Sequence, residues 1–189
     1  MNGECQMNGL WSFSVMLYGA DEVKQLCLTL QDEEGIDVCL LLSLVWLGTH
    51  GISLDRSSMT SLYYSVLRWQ LLVTTRLRRY RLSCQLSKSR FSKSIFNPLM
   101  HPLYSLLKIL ELTAEKASFW RINCFLKERF PLIIEDAAHP KMADQITTEQ
   151  MAVAMQYNLA SYFEIDANDR RSTLQPEQIT AILLNYLPR

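Results

Sequence analysis

Three observations predict an all-α protein. Glycine and proline are scarce, at six each in 189 residues. β-branched alternation is nearly absent, and leucine recurs at helical spacing instead. With 49% hydrophobic and 20% charged residues the chain has a globular composition and the length to bury its own core. The expected architecture is a compact bundle of about seven helices around a central apolar helix at residues 37–48. The expected division is a helical core domain over 1–130, a linker over 131–146 and a C-terminal helical pair over 147–189.

The elements follow in order. "LWSFSVMLYG" gives a short first helix ending at Gly19. "DEVKQLCLTLQDEEG" opens with acids, as a helix N-terminus favours, and stops at Gly35; Val23, Leu26, Cys27 and Leu30 form one stripe. "IDVCLLLSLVWLGTHG" is apolar all round, so other helices must surround it, and Asp37 is placed to cap it. In the helical half of "RWQLLVTTRLRRYRLSCQLSKSRFSKS", Trp69, Val73, Leu77, Tyr80 and Cys84 form one apolar stripe, with Leu71, Leu72, Thr75, Leu82 and Leu86 roughly opposite. Two stripes predict neighbours on two sides. "LSKSRFSKSIFNP" (86–98) reads as an exposed loop with a turn at Asn97–Pro98. A long helix is expected after Pro102, burying Leu103, Leu106, Leu107, Leu110, Ala114 and Ala117, and ending at Phe130–Pro131. Thr147 or Thr148 caps a helix whose inner face is Met151, Met155, Asn158, Leu159 and Tyr162. Pro176 starts the last helix, with Ile179, Ile182, Leu183, Tyr186 and Leu187 in register. The tryptophans, with Phe13, are expected in the core.

Net charge is zero but segregated. Residues 1–55 carry eight acids against Lys24, residues 56–110 carry ten Lys or Arg and no acid, and residues 111–189 carry eleven acids and eight bases. Either the segments attract one another or a partner reads them. The five cysteines are widely spaced with no C-x-x-C pair, as in a chain kept in a reducing compartment. No secretory leader is visible, and "VCLLLSLVWLG" is about half a membrane span, so a cytoplasmic protein without membrane insertion is expected. Met7 is an alternative start, because "MNG" occurs at residues 1 and 7.

Glu111 and Glu115 stand one turn apart and need a cation between them. Ion pairs with Arg78 or Arg79 are favoured over a metal or acid–base site, since no Glu-x-x-His accompanies them. Lys88, Arg90, Phe91 and Lys93 are the candidates for binding an anion or nucleic acid, within the basic segment 76–93. Asp166, Asn168 and Glu177 follow a calcium-loop spacing, but Arg170 and Arg171 stand where a ligand and the glycine belong. His50, His101 and His139 sit apart near turns. No nucleotide, nucleophile-elbow or metalloprotease motif occurs, which points to no catalytic residue, no metal and no cofactor.

"WSFSVMLY" (11–18), "CLTLQDEEGIDVCLLLSLVWLG" (27–48), "LRRYR" (77–81) and "ELTAE" (111–115) together resemble a small uncharacterised proteobacterial family, a domain of unknown function of about this length. The resemblance covers roughly residues 10–130 and implies a bacterial, intracellular helical domain, with no activity or ligand to carry over. Gln31, Asp32, Gly35 and Asp37 within it are accounted for mainly as a helix end, a glycine turn and a cap. The expected role is a non-catalytic cytoplasmic protein-interaction or adaptor protein. The alternatives are nucleic-acid or ribonucleoprotein binding through 76–93, and a helical enzyme using Glu111 and Glu115.

Overall fold

The computed structural model describes residues 8–90, 97–131, 146–166 and 174–187, and every element among them is helical. The elements are α1 (Asn8–Tyr18), α2 (Asp21–Glu33), α3 (Val38–Thr49), α4 (Arg56–Trp69), a π-helical segment (Gln70–Thr74), α5 (Thr75–Arg90), α6 (Asn97–Arg129), α7 (Thr148–Asp166) and α8 (Pro176–Leu184). They belong to two compact units. The first comprises residues 1–65 and 119–189, the second residues 66–118. The expected linker lies almost wholly outside the described residues.

The first unit is built around α3. Every residue from Cys39 to Gly48 is buried, as the uninterrupted apolar run requires. Its most extensive neighbour is α7, with α1 and α2 on other sides. The α2 stripe Val23, Leu26, Cys27 and Leu30 is fully inward. Gly35, at φ 71°, turns the chain where a side chain would be strained, and Asp37 then caps α3 by accepting from Leu40 N–H at 3.1 Å. Gly48 permits the close approach of α7: a Cβ there would collide with the Met155 side chain and lie 2.9 Å from Met155 N and Cα. Thr147 and Gln150 cap α7 reciprocally, at 2.9 and 3.2 Å. Trp11 packs edge-on against Phe119 at 5.5 Å.

Polar side chains of α7 fasten the loops flanking α3. Asn158 is fully buried; its Oδ1 accepts from Leu54 N–H at 2.8 Å, and its Nδ2 donates to Ile52 O at 2.8 Å and Leu44 O at 3.4 Å. Tyr162 Oη accepts from Asp37 N–H at 3.0 Å, and Tyr63 Oη donates to Asp166 Oδ1 at 2.8 Å. Burial pushes the Asp37 carboxyl above its usual range despite the backbone donors at Leu40 and Cys39. Burial pushes the Cys27 thiol up to about 12, so it is inert packing.

Several expectations need correction. α5 continues to Arg90 and α6 starts at Asn97, so residues 86–90 are helix rather than loop. Nothing between Thr75 and Arg90 is glycine or proline, and serines alone do not end a helix that arginine, leucine and lysine favour. Pro98 sits in the first turn of α6, where its missing N–H costs nothing, so that helix begins before Pro102. α8 stops at Leu184, leaving Tyr186 and Leu187 beyond it, and Thr180 joins Ile179 and Leu183 inside. Trp120 is exposed rather than core.

Candidate functional site

The second unit has a polar inside. After Trp69 the backbone takes one π turn, Gln70–Thr74, whose hydrogen bonds span one residue more than in an α-helix. One extra residue swings everything downstream by about 100°. Arg78 and Arg81 are three residues apart on α5, hence about 60° from one another, and both face Glu111. Arg81 grips this carboxylate with two donors, Nε to Oε2 and Nη2 to Oε1, the second at 3.2 Å. Arg78 Nη1 lies 3.8 Å from Oε1. The three side chains are mostly buried, and the Glu111 hydrogen bond raises the Arg81 pKa above its ordinary value. Trp69 Nε1 donates to Ala114 O at 3.1 Å. Thr74 Oγ1 is buried with no hydrogen-bond partner among the described residues.

Of the four residues expected in ion pairs, Arg78 and Glu111 therefore meet, and Arg81 is the stronger partner. Arg79 is exposed and Glu115 is half-buried. Both Glu111 oxygens thus face guanidinium groups of the same chain. Among the described residues no three His, Cys, Asp or Glu side chains gather as metal ligands.

The outside of this unit is apolar. Leu103, Leu106, Ile109 and Leu110 share an arc of about 120° on α6, and all four are exposed, Ile109 by 62%. Leu112 is exposed beside them, and Leu71, Leu72, Tyr80 and Leu82 are exposed on the π segment and α5. This corrects two expectations: Leu71, Leu72 and Leu82 of the second apolar stripe are exposed, and so are Leu103, Leu106 and Leu110 of the α6 face, of which Ala114 is buried. The reason is that Glu111, Ala114 and Ser118 take the inward positions on α6. Arg68, Arg76, Arg79, Lys108 and Lys116 of the same unit are exposed as well. Over residues 66–118, ten Lys or Arg face only Glu111 and Glu115, a net of +8; the other residues carry nine bases and seventeen acids, a net of −8.

Among the other candidates, Lys88 and Arg90 lie on α5, whereas Phe91 and Lys93 lie outside the described residues. Asp166 is engaged by Tyr63 and Glu177 is in the first turn of α8; the segment between them that would complete a calcium loop falls outside the described residues. His50 caps α3, with Nδ1 donating to Trp46 O at 2.8 Å. It borders an open cleft of about 520 Å³ together with Ser53, Glu149 and Gln150. His101 lies within α6, and His139 lies outside the described residues.

A family model described as a protein of unknown function, DUF2390, matches residues 9–122. The chain belongs to this family. The DUF2390 match takes in α1 to α5 and all of α6 up to Ile122, hence the whole second unit, and excludes α7 and α8. No curated protein and no solved structure matches the chain. No helix among the described residues is long and apolar enough to cross a membrane.

Sequence reasoning missed Arg81, the outward leucine face and the anchoring hydrogen bonds of Asn158 and Tyr162. The start of α4 did carry a signal: Asp55 accepts from Ser57 and Ser58 N–H at 3.2 and 3.4 Å, an ordinary N-cap.

Proposed function

We propose that this DUF2390 protein is a non-catalytic, cytoplasmic, bacterial interaction protein, and that its second unit supplies the contact. One observation carries the proposal: the apolar arc Leu103, Leu106, Ile109 and Leu110 is exposed while charged side chains occupy the interior of the same unit. A contiguous apolar face of this kind is what protein interfaces desolvate at their centre. Buried, unlinked cysteines support the reducing compartment, with Cys27 and Cys39 inside the first unit. Family resemblance alone supports the bacterial origin.

Nucleic-acid binding has the positive charge of residues 66–118 in its favour. Against it stands the α6 arc, whose four side chains are aliphatic; the exposed Tyr80 on α5 is a ring that this unit offers for stacking. The enzyme alternative loses its centre, because Glu111 is held by two arginines.

The test is affinity capture at moderate salt, comparing wild type with Leu106→Glu/Ile109→Glu. A reproducible protein partner lost from the variant, whose thermal melt is unchanged, is the expected result. Retention of salt-sensitive RNA by both proteins, or recovery of the same partners by both, would overturn the assignment.

A further inference from the structure

Resting on that reading, we infer that one occupant of the α6 face is a second copy of this chain, contributed through the outer face of its α7. Glu149, Val153, Tyr157 and Glu164 fall within an arc of about 80° on α7. All four are exposed, Val153 by 61% and Tyr157 by 49%. The strip is therefore apolar in the middle and acidic at both ends. The α6 strip has the opposite charge at one end, where Lys116 lies two turns from Ile109 on the same line. At 1.5 Å per residue, Glu149 to Glu164 spans about 22 Å and Leu103 to Lys116 about 20 Å.

Length, apolar centre and charge sign thus match between two faces that are both open on the single chain. Pairing α6 with α6 of another copy would set two units of net charge +8 against each other, which disfavours that dimer. The exposed acids of α2 (Asp21, Glu22, Asp32 and Glu33) have no large exposed apolar residue among them, so α2 has the charge but not the knobs. Of the described helices, α7 supplies both. Glu164 also lies 3.6 Å from Arg56, but that pair is solvent-exposed and contributes little competition.

Sedimentation of the purified, nuclease-treated protein tests this. At low salt the mass should rise above 21.9 kDa as the concentration reaches tens of micromolar, and should return to monomer as salt is raised. Ile109→Glu should be monomeric throughout with an unchanged thermal melt. Glu149→Lys/Glu164→Lys should not self-associate, nor should Lys116→Glu, yet an equimolar mixture of the two should associate again. A wild-type monomer at every concentration, or association indifferent to these changes, overturns the inference. A monomer that still loses a captured partner on Leu106→Glu/Ile109→Glu overturns this occupant alone and leaves the interaction role standing.

Discussion

The two units solve opposite problems with similar residues. In the first, leucines go inside: Leu40, Leu41, Leu44, Leu47 and Leu159 have no exposed area, and charged groups stay outside or cap helices. In the second, Glu111 and its arginines go inside while Leu71, Leu72, Leu106, Ile109 and Leu110 stay out. Burying a leucine stabilises by about 1.5–3 kcal/mol, whereas a buried ion pair contributes little net stability over apolar packing. On the proposed reading, the first unit is organised to hold itself together and the second to present a surface.

Substitutions that separate the two roles should differ most inside the first unit. Gly48→Val is expected to cost about 3 kcal/mol or more in urea unfolding, because the clash includes Met155 backbone atoms that cannot swing away. Leu44→Ala should cost about 2–5 kcal/mol as a cavity in a sealed core. Ile109→Ala, the same kind of truncation on the second unit, should change stability by less than about 0.5 kcal/mol. Equal losses at 44 and 109 would erase the distinction.

Polar groups sharpen the comparison at smaller size. Glu111→Leu should cost about 3 kcal/mol by leaving Arg81 without its fork, and adding Arg81→Met should return most of it, since an apolar pair of similar size replaces the ionic one. Asn158→Ala should cost about 2–3 kcal/mol, because Leu54 N–H and Ile52 O are left unpaired within the core. If Arg81→Met fails to rescue Glu111→Leu, the pair has a role beyond neutralisation.

The smallest effect is in pH dependence. The Asp37 carboxyl is raised by burial above 3.8, so the native state holds its proton more tightly than the unfolded chain. Stability from this group is present at low pH and falls as pH rises from 3.8 through the native pKa. Asp37→Asn keeps the cap acceptor and removes the ionisation. That variant should lose this decline and be at least as stable as wild type at neutral pH, whereas Asp37→Ala should cost about 1 kcal/mol. Thermal melts across the acid range measure both.

How much of this could be read from sequence follows the same division. α2, α3 and α7 were legible because a 3.6-residue apolar period, a cap and a stop agree there: Asp21 and Gly35 bracket α2, Asp37 caps α3, and Thr147 caps α7. The second unit was not, because its period is broken by the π turn at Gln70–Thr74, which has no composition signature. Residues past it are turned by about 100° from where a continuous helix would put them, and among the arginines of α5 nothing in the sequence singles out Arg81. The leucine face of α6 was read as core on the rule that apolar means inside, which fails where the inner line is held by Glu111 instead. Asn97–Pro98 reads as a turn, although the first turn of a helix accepts proline.

Photo-crosslinking in the cell from a single position on each unit tests the contrast most directly. Ile109→p-benzoylphenylalanine should give a discrete higher-mass adduct, and the same substitution at exposed Thr29 on α2 should give none. No adduct from position 109, or adducts of equal yield from both, would contradict the claim that the outward face of α6 is where this protein meets another.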